Sequence, residues 1–303
     1  QKRNDFPIGL DNIREIIPDS ESLYQSMKRV EVVNLGPVDD IALVERISAQ
    51  RQALCIVNTR AHARKLYEAI RGSDGVFHLS ALMCPAHRED TLRKIRLHLD
   101  KNLPCKVMST QLIEAGVDVD FPVVFRSMAG LDSVAQSAGR CNRHGKLNQK
   151  GVTYVFVSEH TAAERFFAET ANCARQTLEL HDDPLSLEAV EHYFRLYYWD
   201  QAARWDAKSI LQKFALANNP DFPFLFDFTD AAEAFQLIEN PQRPVIVPWG
   251  KRGRALCERL RKQVYPDYRL LRELQRYTVQ IHSRIWTEHL HHSIELLNDQ
   301  FPV

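Results

Sequence analysis

The chain reads as an α/β protein: a mostly parallel sheet covered by helices on both faces, followed by a mainly helical tail. Three observations carry this. Short apolar runs recur between residues 30 and 157, helical stretches separate them, and after about residue 160 helices take over. Strands alternating with helices require crossover connections, which set neighbouring strands parallel and leave helices on both faces.

In chain order, residues 1–28 are polar, carry Pro7 and Pro18, and read as a linker with a short helix. Val30–Leu35 is the first expected strand and Asp39–Gln50 the first full helix. Ala53–Val57 is a strand that leads into a helix over Ala61–Arg71. Val76–Ser80 is a strand, and His87–Leu99 is a helix with Leu92, Ile95 and Leu99 on one side. Cys105–Ser109 and Pro122–Phe125 are further strands; Asp132 is expected to cap a helix through Gly139, and Thr153–Val157 is the last strand of the unit. Beyond it, Thr161–Leu180 and Leu185–Tyr198 read as helices, Pro220–Phe228 as a connector, Pro244–Pro248 as a strand and Arg254–Gln263 as a basic helix. Leu270–Asn298 shows Leu and charge at helical spacing. The expected division is a linker over 1–28, the α/β unit over 29–180, a helical linker over 181–241 and part of a C-terminal domain over 242–303.

Composition sets limits. Hydrophobic residues make up 45% and charged residues 26% of the 303, with a formal net charge of zero. A neutral chain has no global pull toward nucleic acid, so such binding needs a local patch. Residues 124–151 offer one, with five basic residues against one acidic. No apolar run approaches the roughly 18 residues a membrane helix needs. The six cysteines include no C-x-x-C pair, which points to a reducing cytoplasm rather than a disulfide framework. The chain begins without Met and is expected to be part of a longer protein.

Two segments carry the chemistry. Gln136-Ser-Ala-Gly139-Arg140-Cys-Asn-Arg143 fits Q-x-x-G-R-x-x-R, the sixth helicase motif of superfamily 2. On a continuous helix, positions 136, 140 and 143 share one face. Guanidiniums bind phosphate oxygens bidentately, so Arg140 and Arg143 with Gln136 suit the charge developing on a transferred phosphoryl group. Gly139 removes a side chain where a phosphate or neighbouring backbone must come close. The second segment, Ser109-Thr110-Gln-Leu-Ile-Glu114-Ala-Gly116-Val-Asp118, follows a strand directly. Ligands of open α/β sheets bind beyond strand carboxyl ends; Ser109 and Thr110 are placed to hold a nucleic-acid phosphate, with Gly116 and Asp118 nearer the nucleotide. The bland alternative is a strand-to-helix turn capped by Thr110. Asn58 and Thr59, at another strand end, and His87 and Arg88, opening a helix, are weaker candidates for strand contact; capping and surface exposure are their alternatives.

These segments, in this order, resemble the CRISPR-associated helicase-nuclease of type I systems. The likeness rests most on Glu114-Ala-Gly-Val-Asp-Val-Asp120-Phe-Pro122 and Ala138-Gly-Arg-Cys-Asn-Arg143, and is looser over Asp183–Val190, Val245–Pro248 and Leu274–Ile281. The resemblance implies a RecA-like three-layer α/β/α domain, the second of two motor domains. It also implies ATP and Mg2+ bound mainly by the first motor domain, and an HD nuclease whose metal lies outside this chain. The implied partners are single-stranded DNA and a guide-RNA surveillance complex (Cascade). The chain has no G-x-x-x-x-G-K-[ST] loop and no Asp-Glu pair for Mg2+, so it is expected to be inactive alone. His181-Asp182-Asp183 reads as a helix cap, and His289, His291 and His292 as a surface helix, leaving no expected metal ligands. Two rival readings are a general RNA or DNA helicase domain and a non-catalytic docking module for a protein partner or inhibitor.

Overall fold

The computed structural model describes residues 12, 14–160, 165–201, 206–214, 226–235, 242–263, 265–289, 294–297 and 301–303. The expected helix start at Thr161, most of the Pro220–Phe228 connector, and His291 and His292 lie outside them.

Asp19 accepts the Ser22 N–H and opens α1, Ser20–Met27. Then come β1 (Val30–Pro37), α2 (Asp40–Ser48), β2 (Gln52–Ile56), α3 (Arg60–Ile70), β3 (Val76–Leu79), α4 (Pro85–Asp100), β4 (Cys105–Ser109), β5 (Val123–Ser127), α5 (Leu131–Ala138) and β6 (Gly151–Val157). The six strands form one sheet in the order β1-β6-β5-β2-β4-β3, parallel at every pairing. Leu43 and Ile47 of α2 and Ala63, Leu66 and Ile70 of α3 pack with Cys55, Phe125 and Phe156 on one face. Alternate strand residues, Leu54, Val107 and Val124, face Ile95 of α4, while Leu131 and Val134 of α5 cover Val155. That is the expected three-layer α/β/α RecA-like architecture.

The tail begins with α6 (Arg165–Leu180) and α7 (Leu187–Gln201), which extend the α5 layer through Cys173, Ala174 and Tyr193. Asp183 does not cap α7, as the sequence suggested. Ser186 Oγ accepts the Ala189 N–H there, and Asp183 ties down α1 through Tyr24 Oη at 2.8 Å and Lys28 Nζ at 2.6 Å. A short α8 (Phe228–Ala234) follows. β7 (Gln242–Ile246), α9 (Gly250–Lys262), α10 (Tyr268–Leu274), β8 (Thr278–His282) and α11 (Ser283–His289) build a second cluster, closed by the short pair β9 (Leu296–Leu297) and β10 (Phe301–Pro302).

Two expectations change. Leu270–Asn298 is not a helical stretch: Thr278-Val-Gln-Ile-His282 forms a strand antiparallel to β7, with Val279 opposite Val245. Asp132 is not the cap of α5; Gly130 occupies that position, and Asp132 sits in the first turn, accepting from Tyr193 Oη at 3.3 Å. Among the described residues all six cysteines are free and buried, and no helix is long and apolar enough to cross a membrane.

Candidate functional site

The two motif segments, separated by seventeen residues in the chain, are laced into one structure. α5 ends at Ala138 with Gly139 as its C-cap, so Arg140 and Arg143 lie on the loop beyond the helix. The expected common face with Gln136 is therefore absent: Gln136 is exposed on the last turn, while Arg140 turns inward and is 7% exposed. Its Nε donates to the Ile113 carbonyl at 3.0 Å and its Nη2 to that of Glu114. The backbone repeats the link, Phe121 N–H to Arg140 O and Asn142 N–H to Phe121 O, both at 2.9 Å. Asp120 accepts the N–H groups of Arg143 at 2.7 Å and His144 at 3.2 Å. Arg143 alone of the two arginines reaches solvent, and its Nε lies 3.0 Å from Asp118 Oδ1. Gly116 takes φ +70°, with open space where a Cβ would stand. At Gly139 an added Cβ would meet the Gln136 carbonyl of its own helix turn at 3.2 Å, so its lack of a side chain suits the helix end.

Beneath this loop lies a network the sequence did not reveal. Arg126 on β5 is fully buried, and its Nε is 2.8 Å from Glu114 Oε1. Ser137 Oγ donates to the same carboxylate at 3.1 Å. Arg126 Nη1 donates to Asn58 Oδ1 at 2.7 Å, and Asn58 Nδ2 to the Met128 carbonyl at 2.8 Å. Burial raises the Glu114 pKa against the pull of Arg126. Of the five basic residues between 124 and 151, Arg126 and Arg140 are thus interior, and Arg143, Lys146 and Lys150 are exposed.

The expected strand-contact residues divide. Asn58 is committed to Arg126 and Met128. Thr59 caps α3, accepting the His62 N–H at 3.2 Å. Ser109 is fully buried and donates to the Thr110 carbonyl, and Thr110 is 7% exposed. His87 stacks on Trp249, centroids 4.8 Å apart at 17°, so it joins the sheet domain to the C-terminal cluster. Arg88 is partly exposed at the start of α4. All six lie at or beyond the carboxyl ends of strands, whereas Asp118 and Arg143 lie toward the amino ends. A cavity of about 810 Å3 opens at the amino ends, lined among others by Gln52, Asp118, Asp120, Val123 and His144. At the carboxyl ends, Asp40 contacts Lys65, His160 and His62. Burial would raise its pKa, but hydrogen bonds from these three hold it down to about 2. Burial also lowers the pKa of His62, against the pull of Asp40.

Residues 49–146 match the family model for the CRISPR-associated nuclease/helicase Cas3, C-terminal. A 49-residue stretch is 51% identical to the CRISPR-associated nuclease/helicase Cas3 of Haloferax volcanii, over 16% of this chain and 5% of that protein. A 97-residue stretch is 26% identical to the protein of the same name from Methanothermobacter thermautotrophicus, over 32% of this chain and 12% of the relative. Among solved structures, T. fusca Cas3 aligns over 95% of this chain and 38% of its own, with TM-score 0.60 and 13% identity. A structure described as a CRISPR RNA-guided surveillance complex, pre-nicking, aligns over 84% of this chain and 37% of its own, with TM-score 0.51 and 16% identity. At these identities the structural likeness shows the fold, and the chain spans less than two-fifths of either solved chain. The family-model match takes in both motif segments, and that part of the chain is similar to the C-terminal region of the nuclease/helicase Cas3.

Proposed function

We propose that this chain supplies the second motor domain of an ATP-dependent superfamily 2 DNA translocase that feeds target DNA to a nuclease in type I CRISPR interference. The observation that carries this reading is the lacing of the two motif segments by Arg140, which leaves Arg143 on a braced loop where, among the described residues, its ion partner is the exposed carboxylate of Asp118. A guanidinium held in this way can exchange Asp118 for a phosphate presented by a facing domain. The donors fit an anionic nucleotide: Arg143 and Gln136 are exposed, and the space around Gly116 is open. They do not fit Mg2+, because Asp120 is occupied by two backbone N–H groups and Asp118 by Arg143. ATP and Mg2+ are accordingly assigned mainly to a first motor domain.

In this reading Arg143 stabilises charge on the γ-phosphate, Gln136 orients beside it, and Arg140 positions the loop. Strand contact falls to Arg88, Thr110 and neighbouring backbone N–H groups. The surveillance complex is assigned as partner because one of the aligned structures is described as such a complex.

The test is Arg143→Ala in a protein that also carries the first motor domain. Steady-state ATPase at saturating single-stranded DNA should fall by on the order of 10³-fold or more, with DNA affinity without nucleotide nearly unchanged. Arg143→Lys should rescue poorly, because an ammonium cannot make the bidentate contact. Near-normal turnover with lost DNA affinity would overturn the assignment.

A further inference from the structure

We propose that Asp40, His62 and His160 form a binding site for a divalent cation of the zinc class. The three come from separate parts of the chain: the first turn of α2, the first turn of α3 and the segment after β6. The parallel sheet brings them together, because all three segments follow strand carboxyl ends. His62 Nε2 lies 2.8 Å from Asp40 Oδ1, and His160 Nε2 lies 3.0 Å from Asp40 Oδ2. The imidazole centroids are 4.4 Å apart, and one ligand atom from each residue falls within 4.8 Å of the others.

In the structure hydrogen bonds from His62, His160 and Lys65 to Asp40 hold this arrangement together. In a neutral imidazole each nitrogen either donates or accepts. His160 Nε2 faces both the Asp40 carboxylate at 3.0 Å and the Lys65 ammonium at 3.4 Å. His160 Nε2 donates to Asp40, and the Lys65 ammonium donates to Asp40 Oδ2 at 2.8 Å. A cation taken up by the Nε2 lone pairs of both histidines and one Asp40 oxygen takes the place of these hydrogen bonds once Lys65 swings away. Lys65 is free to do so, with its side chain 59% exposed.

The donor set selects the metal. Two imidazole nitrogens and one carboxylate oxygen suit zinc and its neighbours, whereas Mg2+ and Ca2+ prefer oxygen donors throughout. Three protein ligands also leave one tetrahedral position open, as in catalytic rather than closed structural zinc sites. Glu159 Oε1 lies 3.5 Å from His160 Nε2 and is placed to fill it. His160 also lines a cavity of about 260 Å3 together with Asn58, Ser127, Met128, Ser158 and Arg175. A cation here would pin α2, α3 and the segment after β6 together and place positive charge beside that cavity. None of this depends on the motor reading.

The experiment titrates the purified chain with Zn2+ alone, by calorimetry, and with Co2+ alone, by visible absorption, using Mg2+ as control. The expected result is one Zn2+ per chain, Co2+ bands typical of low coordination number, a Zn2+-dependent rise in Tm and no response to Mg2+. His160→Ala and Asp40→Asn, each checked for native circular dichroism, should abolish the stoichiometric site. Each loses a direct ligand, which should weaken binding beyond the roughly 10–100-fold typical of losing an outer-shell partner. Lys65→Ala should tighten binding severalfold, since it removes the competing ammonium. Absence of Zn2+ binding by the wild-type chain, or unchanged binding in either ligand variant, would overturn the proposal.

Discussion

Arg126 sits on β5 with no exposed surface, and its nearest counter-charge is Glu114 Oε1 at 2.8 Å. Asn58 Oδ1 and the Ser127 carbonyl accept from Nη1. A buried charge keeps its place only while its partner remains, because the desolvation cost of the survivor is large. Glu114→Ala should therefore destabilise the chain by about 3–5 kcal/mol, whereas the double change Arg126→Met with Glu114→Leu should cost far less than the sum of the single changes. Urea denaturation of the two single variants and the double variant measures the coupling; additive costs would mean that the pair is not one energetic unit. The sequence could not announce this. Arg126 stands among residues that read as a basic patch, and its partner lies twelve positions earlier inside a motif that suggests nucleotide contact. Arg140 misleads in the same way. A motif preserves the residue types that chemistry needs, but the i, i+4, i+7 rule assumes a helix, and Gly139 ends it. Asp40, His62 and His160 carry no spacing signal at all, because the fold alone makes them neighbours.

At the scale of elements, periodicity located every strand of the large sheet and missed β8. In Thr278–His282 the apolar Val279 and Ile281 alternate with polar residues, a period of two inside a longer stretch whose leucines sit at helical spacing. The antiparallel partner β7, more than thirty residues earlier, decides the outcome. Turns decide others. Gly75, between α3 and β3, adopts φ +73°, and an added Cβ would stand 1.9 Å from the Pro104 carbonyl oxygen, where the chain enters β4. Gly36, in the irregular end of β1, has a similar φ of +66° but open space around it. The left-handed conformation alone costs a side-chain-bearing residue about 1–2 kcal/mol. A clash with backbone adds about 1–3 kcal/mol more. Gly75→Ala should thus lower the urea midpoint clearly more than Gly36→Ala, and equal losses would show that the approach of Pro104 is easily relieved.

Across the whole molecule, the C-terminal cluster is seated on α4. Cys84 and Ala86 enter its apolar core with Leu256, Leu260, Leu274 and Tyr277, His87 stacks on Trp249, and Glu89 pairs with Arg276. The start of α4, read from sequence as a DNA-facing position, is largely occupied by this contact, leaving Arg88 beside it. The strand-binding surface of the chain alone is correspondingly small. Asn58, Ser109 and His87 are engaged, Arg126 and Arg140 are interior, and the net charge of zero supplies no long-range attraction. Near the motif segments and the start of α4, what remains is the partly exposed Arg88 and the exposed Arg143, Lys146 and Lys150. Binding of single-stranded DNA by the purified chain should therefore be weak and governed by counterion release. For roughly two to four phosphates neutralised, log K should fall against log salt with a slope of about −1.5 to −3. Fluorescence anisotropy with a labelled oligonucleotide from low to moderate salt measures that slope, and a phosphate-release assay on the same sample should find no ATP turnover until the first motor domain is added. Tight binding that ignores salt would mean that the chain holds a finished DNA groove of its own, and ATP turnover by the chain alone would mean that the phosphate cradle is not supplied from elsewhere.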